Sequence, residues 1–294
     1  MSWRASVTFA VLCVIWGVPY FLIKLALVDL SPACIAWGRI TLAAAILVPI
    51  AWKRGVLRPA MRHKTAVFAF AIAELVIPFF LIAFGEQWLT SSFSGILIAT
   101  VPLTVVLIAP LFGVHERLGL RRMAGLALGF SGVVVLLGLD TGHGPMLWLG
   151  VGAMMIAVAG YAIGPLIVQR HLSGVDELGA LAGSLVMASL ALLPFAIASA
   201  PVRMPSSTSL ISVAVLGIVC TALALLLYFY LIHAAGAARA SLIAYVNPAV
   251  AALLGVLVLD EHFGINALVG LIMILAGSSL AGSRSQLQTQ RAAT

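Results

Sequence analysis

The most informative side chains of this sequence are ionisable groups that interrupt long apolar stretches. Glu74 lies near the middle of one such stretch. A carboxyl deep in a bilayer is costly, so it usually faces the interior of a helix bundle, often on a substrate or proton path. Glu74 is therefore a candidate for binding an ammonium group or a proton. The alternative is a structural carboxyl that is protonated or paired.

Three further charged residues lie in similar surroundings. Arg39 lies inside a second stretch, where it could bind a substrate carboxylate, but we expect a structural pairing instead. Lys24 lies one turn from the end of the first stretch and can extend its ammonium group to the membrane interface. Glu86 lies at the outer mouth of the third stretch, where solvation would explain it.

Two stretches combine aromatic side chains with a proline. Trp16, Pro19 and Tyr20 recur at helical spacing in the first, and Tyr161 and Pro165 match them in the sixth. A proline inside a helix removes a backbone hydrogen bond and bends the helix. In lipid the freed carbonyl needs a partner or a water-lined cavity. We expect these aromatics to line a ligand cavity; packing or an interfacial position is the alternative.

The fourth and ninth stretches place small hydroxyl groups and a proline near the bilayer midplane. The residues are Ser94 and Pro102 in the fourth, and Ser241, Tyr245, Asn247 and Pro248 in the ninth. Such groups can bind a polar ligand, or they can bond between helices with about 0.6 kcal/mol per contact. Phe79 and Tyr228 are further candidates for substrate contact, with bundle packing as the alternative, and Pro78 is a third bend near Glu74.

Composition requires lipid as the solvent of this chain. Of its 294 residues 63% are hydrophobic and 9% are charged, whereas soluble domains carry roughly 25% charged residues. About 20 apolar residues cross a bilayer as a helix. The sequence predicts ten spans, at residues 5–28, 32–52, 66–86, 91–112, 122–139, 146–169, 177–199, 209–233, 239–259 and 264–282.

The positive charges predict the orientation. Thirteen of the sixteen Lys and Arg residues fall on the side of the N-terminus, Arg203 falls alone on the other side, and Lys24 and Arg39 lie within spans. By the positive-inside rule both termini are cytoplasmic. This placement also argues against a nucleic-acid surface, despite the net charge of +7. The first span lacks a cleavage pattern, so we expect it to be retained.

The chain contains an internal repeat. Glu116, Gly125 and Gly132 recur as Glu261, Gly270 and Gly277 at a constant offset of 145. Five spans per half is an odd number, so the second half enters the membrane inverted, as in many transporters. We assign residues 1–142 and 143–282 to two five-helix repeats and residues 283–294 to a polar cytoplasmic tail. Exchanging the conformations of the two halves would give alternating access.

Motifs of enzymes and ATPases are missing from the sequence. It has no HExxH, no Walker A loop and no GxSxG. Three cysteines without a CxxC predict neither a disulfide frame nor a zinc site. We therefore expect no metal, no cofactor and no enzymatic activity, and we infer no obligate protein partner. The expected partners are a small-molecule substrate and the lipid bilayer.

These residues, in order and in duplicate, resemble the EamA family of the drug/metabolite transporter superfamily. The pieces are Trp16-Gly17 with Lys24, Pro32 with Arg39, Ser94 with Pro102 and Glu116, and then Ser241, Pro248, Glu261, Gly270 and Gly277. Tyr161-Ala162 departs from the Trp-Gly of the pattern in the sixth span. Within the family the chain is most similar to the YddG-type amino-acid exporters.

The resemblance implies a function and an architecture. It implies a ten-helix basket in a bacterial-type inner membrane, with spans 1, 3, 4, 6, 8 and 9 around a central cavity. It also implies export of amino acids, aromatic and other neutral ones among them. Rival hypotheses are an exporter of cationic drugs or other metabolites, with Glu74 as the partner of the cation, a channel, and an intramembrane enzyme.

Candidate site residues follow from the faces above and from this resemblance. The proposed substrate contacts are Trp16, Tyr20, Glu74, Phe79, Ser94, Tyr161, Tyr228, Ser241, Tyr245 and Asn247. The proposed hinges are Pro19, Pro78, Pro102, Pro165 and Pro248.

Overall fold

The structure, a computed structural model, describes residues 2–113, 119–137, 145–236, 240 and 242–282. Within these residues the secondary structure is helical and contains no strand. The predicted contact Ser241 and the predicted tail 283–294 lie outside the described residues, as does Glu116 of the first repeat.

A helix lies at each of the ten predicted positions, and we number these helices 1 to 10. Their bounds are Trp3–Ala26, Pro32–Lys53, Lys64–Gly85, Ser91–Phe112, Leu120–Leu137, Pro145–His171, Glu177–Ala198, Ser207–Ala235, Ile243–Leu259 and Ile265–Gly282. A short helix, Leu57–Met61, which the sequence analysis did not predict, joins helices 2 and 3.

Seven of the described helices, 1 to 4 and 6 to 8, are long and apolar enough to cross a membrane. Helices 9 and 10 are shorter apolar helices. The all-helical membrane fold is therefore confirmed. The count of ten crossings and the cytoplasmic position of both termini stay predictions.

Side-chain caps explain where several helices begin. Ser31, Thr90, Asp176 and Ser206 each precede a helix and accept a hydrogen bond from the backbone N–H three residues further along. Such a cap satisfies one of the amide groups that the first turn leaves without a partner. These caps place the starts of helices 2, 4, 7 and 8 where the apolar stretches begin.

The five predicted hinge prolines have different effects on their helices. Helix 1 is interrupted at Val18, just before Pro19, and helix 4 is interrupted before Pro102. Pro165 and Pro248 lie inside helices that continue through them. Pro78 follows a segment of π-helix, whose wider turn accommodates the missing backbone donor.

Two π-helical segments of six residues occur at matching places in the two halves. They are Ala71–Val76 in helix 3 and Ile218–Leu223 in helix 8. Glu74 is the fourth residue of the first segment, and Thr221 is the fourth residue of the second. π-Helical turns are rare and frequently occur at functional sites. Both segments lie beside the site described below.

Helices 5 and 10 pack against each other through reciprocal glycine contacts. A Cβ on Gly125 would lie 2.8 Å from Gly277 O, and a Cβ on Gly132 would lie 2.8 Å from Gly270 O. By the offset of 145, Gly125 corresponds to Gly270 and Gly132 to Gly277. The repeat therefore maps the contact of Gly125 with Gly277 onto the contact of Gly270 with Gly132. The two helices run antiparallel to each other, as an inverted repeat predicts.

The remaining helices form a basket around the molecular centre. Helix 1 packs against helices 8 and 9, helix 9 packs against helix 4, and helix 6 packs against helices 3 and 4. Helix 2 pairs with helix 7 at one side, and helix 5 pairs with helix 10 behind helix 4. Helices 1, 3, 4, 6, 8 and 9 therefore carry most of the candidate site, and helix 2 contributes Arg39.

Asp29 links the connection between helices 1 and 2 to the start of helix 8. Its carboxylate accepts hydrogen bonds from Ser206 N at 2.9 Å and from Ser209 Oγ at 2.7 Å, and also from Ser206 Oγ. These bonds hold the pKa of Asp29 below its usual range. Their contribution to stability is therefore complete above the ordinary pKa and is lost as the pH falls through the depressed one.

Candidate functional site

Tyr161 of helix 6 lies where the two largest apolar clusters of the described chain meet. One cluster contains Tyr20 of helix 1, and the other contains Phe79 of helix 3. Tyr161 packs against both of them. Predicted aromatic contacts from helices 1, 3 and 6 thus belong to adjoining apolar clusters.

Glu74 approaches this aromatic group from helix 3. Its side chain packs on Gly164 of helix 6, so closely that a Cβ at Gly164 would clash with Oε2. Oε2 is buried and has no hydrogen-bond partner. Gly160 and Gly164 permit this approach because they lack side chains, and a Cβ on Gly160 would lie 3.0 Å from Pro78. The carboxyl thus lies within the bundle, as the sequence analysis predicted.

Arg39 enters from helix 2 and reaches helices 3 and 8. Its Nε donates a hydrogen bond to Thr221 Oγ1 at 2.8 Å, and its guanidinium lies 3.8 Å from the ring centroid of Phe79. Thr221 Oγ1 in turn donates to Leu216 O. The side chain is 7% exposed. These contacts fit the expected structural role, but none of them supplies a negative charge.

Glu74 and Arg39 both lie within electrostatic range of Tyr161, but neither has a charged partner among the described residues. Burying a charge is strongly unfavourable unless it is paired and hydrogen-bonded. The site therefore holds one acidic and one basic group around an aromatic ring, and each lacks its counter-ion.

A second aromatic pair flanks Glu74. The rings of Trp16 and Tyr228 are 4.9 Å apart and tilted by 51°, and Tyr228 lies within electrostatic range of Glu74. Asn247 of helix 9 bridges to helix 1. With its amide oriented to satisfy both acceptors, its nitrogen donates to Cys13 O at 3.2 Å and to Ile243 O at 3.0 Å. This bond favours a structural role for Asn247.

Two further predicted contacts lie on helices 4 and 9. Ser94 of helix 4 is fully buried near the predicted outer end, and its hydroxyl has no hydrogen-bond partner. Tyr245 is half-buried on helix 9.

A cavity of about 520 Å³ opens at the end that the charge bias assigns to the cytoplasm. It lies between helices 3, 4 and 6, and its lining residues are Arg62, His63, Thr65, Ala66, Ala69, Phe112, Ile167 and His171. Ile167 lies one turn from Gly164, on which Glu74 packs. The cavity therefore borders the turn of helix 6 next to the Glu74 contact.

The predicted outer end contains buried polar groups, and here the expected solvation of Glu86 was wrong. Glu86 is 0% exposed. Lys24 Nζ donates a hydrogen bond to the Glu86 carbonyl oxygen. Glu261, which precedes helix 10 in the chain, caps helix 4, where it accepts from Ser91 N at 2.7 Å and Ser92 N at 3.0 Å.

Similarity to known proteins identifies the family of this chain. A model of the EamA-like transporter family matches the chain twice, over residues 3–138 and 148–283. The chain belongs to this family. Each match covers five of the ten helices of this EamA-like protein, in agreement with the internal repeat.

Two relatives of this EamA-like protein are described as transporters. An uncharacterized inner membrane transporter, YedA of Escherichia coli (strain K12), is 28% identical over 83% of this chain and 79% of its own length. An uncharacterized transporter of Archaeoglobus fulgidus is 25% identical over 89% of this chain and 92% of its own. A solved crystal structure, 20% identical, matches 99% of each chain with a TM-score of 0.67 and supports the fold alone. The chain is a multi-pass membrane protein of a transporter family, which argues against an enzyme.

Sequence reasoning did not find Thr221 or the π-helical segment around it. This segment contains no proline and no charged residue, so no local signal marks it. The repeat offset of 145 pairs Glu74 with Val219, two residues before Thr221, so an alignment of the two halves points to this segment but not to Thr221 itself.

Proposed function

We propose that this protein exports amino acids, aromatic and other neutral ones among them, from the cytoplasm across a bacterial inner membrane. The observation that carries the proposal is that the Glu74 carboxyl and the Arg39 guanidinium both lie near Tyr161, and that neither has a counter-ion among the described residues. A zwitterion supplies both missing counter-charges in one molecule. Binding would then give the Glu74 carboxylate and the Arg39 guanidinium one charge-assisted hydrogen-bonded partner each.

The proposed binding mode assigns one end of the substrate to each charge. The α-ammonium group binds the Glu74 carboxylate. The α-carboxylate binds the terminal nitrogens of Arg39, because only Nε is used in the bond to Thr221. The substrate side chain lies among Tyr20, Phe79 and Tyr161, with Trp16 and Tyr228 as a further wall. The binding mode assigns no specific substrate group to the other predicted contacts, which are Ser94, Ser241, Tyr245 and Asn247.

The proposed transport cycle is alternating access between the inverted halves. The cavity between helices 3, 4 and 6 supports entry from the cytoplasm, while the burial of Glu86 supports closure at the opposite end. The interruptions before Pro19 and Pro102 and the π-helical turn before Pro78 are proposed to bend as the halves rock. Pro165 and Pro248 would have to bend within continuous helices.

A second candidate function is export of lipophilic cations by the same fold. Glu74 alone would then neutralise the cargo, and Arg39 would be a structural residue held by Thr221 and Phe79. The absence of an acidic partner for Arg39 among the described residues favours the zwitterion. The narrower YddG-type assignment rests on the sequence resemblance and belongs to this proposal.

Counterflow in liposomes tests the proposed function. Protein reconstituted with internal unlabelled phenylalanine is expected to accumulate labelled phenylalanine, threonine or methionine, with a rate that saturates. Trp16→Ala and Tyr161→Ala variants that fold should exchange more slowly, because stacking area is lost. A channel would show no counterflow. Folded protein that exchanges none of the three amino acids would contradict the proposal.

A further inference from the structure

Glu86 is the most deeply buried acidic residue of the described chain, and the proposed substrate path does not use it. It follows helix 3 directly at the predicted outer end and is 0% exposed. Both carboxyl oxygens are buried without a hydrogen-bond partner. Ser94 Oγ lies nearby and is also buried, but it too lacks a hydrogen bond of ordinary geometry. Two unpartnered polar side chains therefore face each other.

The surroundings of Glu86 contain one cation and one further carboxylate. Helix 1 contributes Lys24, whose ammonium binds the Glu86 carbonyl oxygen rather than its carboxyl, and the buried hydroxyl of Tyr20. The segment after helix 9 contributes Glu261, whose carboxylate accepts hydrogen bonds from two backbone amides of helix 4. Helix 6 faces this end with the uncharged Gly150 and Met154. The charged residue of helix 2, Arg39, is held two turns away over Phe79.

Charge balance determines the state of Glu86 in this arrangement. The Lys24 ammonium and the Glu261 carboxylate already neutralise each other, so an ionised Glu86 would leave the buried cluster with one net negative charge. An ionised carboxylate that is buried without donors is strongly unfavourable. A protonated carboxyl keeps the cluster neutral, and its O–H can donate to Ser94 after a small rotation.

We propose that Glu86 is a proton-binding site that closes the outer end of the transport path. Glu86 binds a proton when the outer end is closed and releases it to the outer solution when that end opens and water reaches the carboxyl. The inference rests on the proposed alternating access, but not on the identity of the cargo. Because the closed state binds the proton more tightly, acid favours the closed state and rising pH favours opening.

Distances between spin labels at the outer surface test this site directly. Cysteines replace Gln87 and, in turn, Val202 or Ile265, all of which are exposed; alanine replaces Cys13, Cys34 and Cys220. Measured without substrate, the distributions are expected to gain a longer component, with its population rising about twofold or more from about pH 5 to about pH 8. If the distances in the wild-type background do not change with pH, the proposal is overturned without any variant at Glu86.

Two variants separate Glu86 from its neighbours. Glu86→Gln imitates the protonated carboxyl, so we expect the shorter distance at every pH. Asp260→Asn, the same chemical change at an exposed position after helix 9, is the matched control and should keep the pH response, because Glu86 and its buried neighbours are unchanged. If Glu86→Gln retains the wild-type response, the site is wrong. Infrared difference spectra between the two pH values give a second readout, and the carbonyl band of a protonated acid should disappear in Glu86→Gln.

Because the distances are recorded without cargo, failure of amino-acid counterflow leaves this test unaffected. Conversely, if the protein shows counterflow of amino acids but the distances at its outer end do not depend on pH, the proposed function holds and the proton site is wrong.

Discussion

Glu74→Gln is expected to lower amino-acid counterflow by about tenfold to a hundredfold while the protein folds normally. The substitution replaces a carboxylate with an amide of the same shape, so the packing of this side chain on Gly164 is preserved. The lost interaction is a charge-assisted hydrogen bond to the substrate ammonium, worth about 1.5–3 kcal/mol. A difference of about 1.4 kcal/mol changes an affinity tenfold.

The matched control is Asp260→Asn, the same chemical change at an exposed position after helix 9. Asp260 has a φ of 52°, in the left-handed region that asparagine tolerates well. Counterflow by this variant should equal that of the wild type. Folded Glu74→Gln protein with wild-type counterflow would show that the carboxyl does not bind the substrate, and would leave it a structural group.

Gly277→Ala is expected to destabilise the protein by about 3 kcal/mol, because the close contact between helices 5 and 10 leaves no space for a methyl group. The added Cβ would lie 2.5 Å from Gly125 O and 2.6 Å from Gly129 Cα, and both of these are backbone atoms. No side-chain rotation can relieve such a clash, so the helices must move apart along their contact. Overpacking in a dense interior typically costs about 1–3 kcal/mol.

Gly152→Ala is the control for helix propensity alone. Gly152 is exposed on helix 6, and a Cβ there would meet no atom within 4 Å. Alanine is favoured over glycine in a helix by about 1 kcal/mol, so this variant should be as stable as the wild type or slightly more so. The stability of both variants is measured as the fraction of protein that stays monodisperse on size-exclusion chromatography after heating in detergent. Equal survival of the two variants would contradict the close contact of helices 5 and 10.

The fold was predictable because lipid leaves the chain few choices. Apolar length determines where helices occur, and capping residues such as Thr90 and Ser206 determine where they begin. The repeat was visible because close helix contact tolerates only glycine at Gly125, Gly132, Gly270 and Gly277. Nothing comparable marks Ile218–Leu223, where a π-helical turn forms without proline.

Side-chain pairing across helices was less predictable than the helices themselves. Arg39 was correctly placed in the interior, but its contact with Thr221 on helix 8 depends on how helices 2 and 8 pack. The prediction of a solvated environment for Glu86 was wrong, because it rested on the position of this residue at the end of a span. In the structure the connection between helices 9 and 10 brings Glu261 to the start of helix 4 beside it. Neither pairing follows from spacing along the chain.

Zwitterion recognition is the central claim, and competition by charge analogues tests it most directly. Counterflow of labelled phenylalanine is measured at neutral pH against unlabelled phenylalanine, phenethylamine and 3-phenylpropionate, which share the ring and differ in their charged groups. We predict that each single-charge analogue competes about tenfold or more weakly than phenylalanine, since each leaves Glu74 or Arg39 without its counter-ion. Competition by phenethylamine as strong as that by phenylalanine would contradict the account and favour a cation exporter.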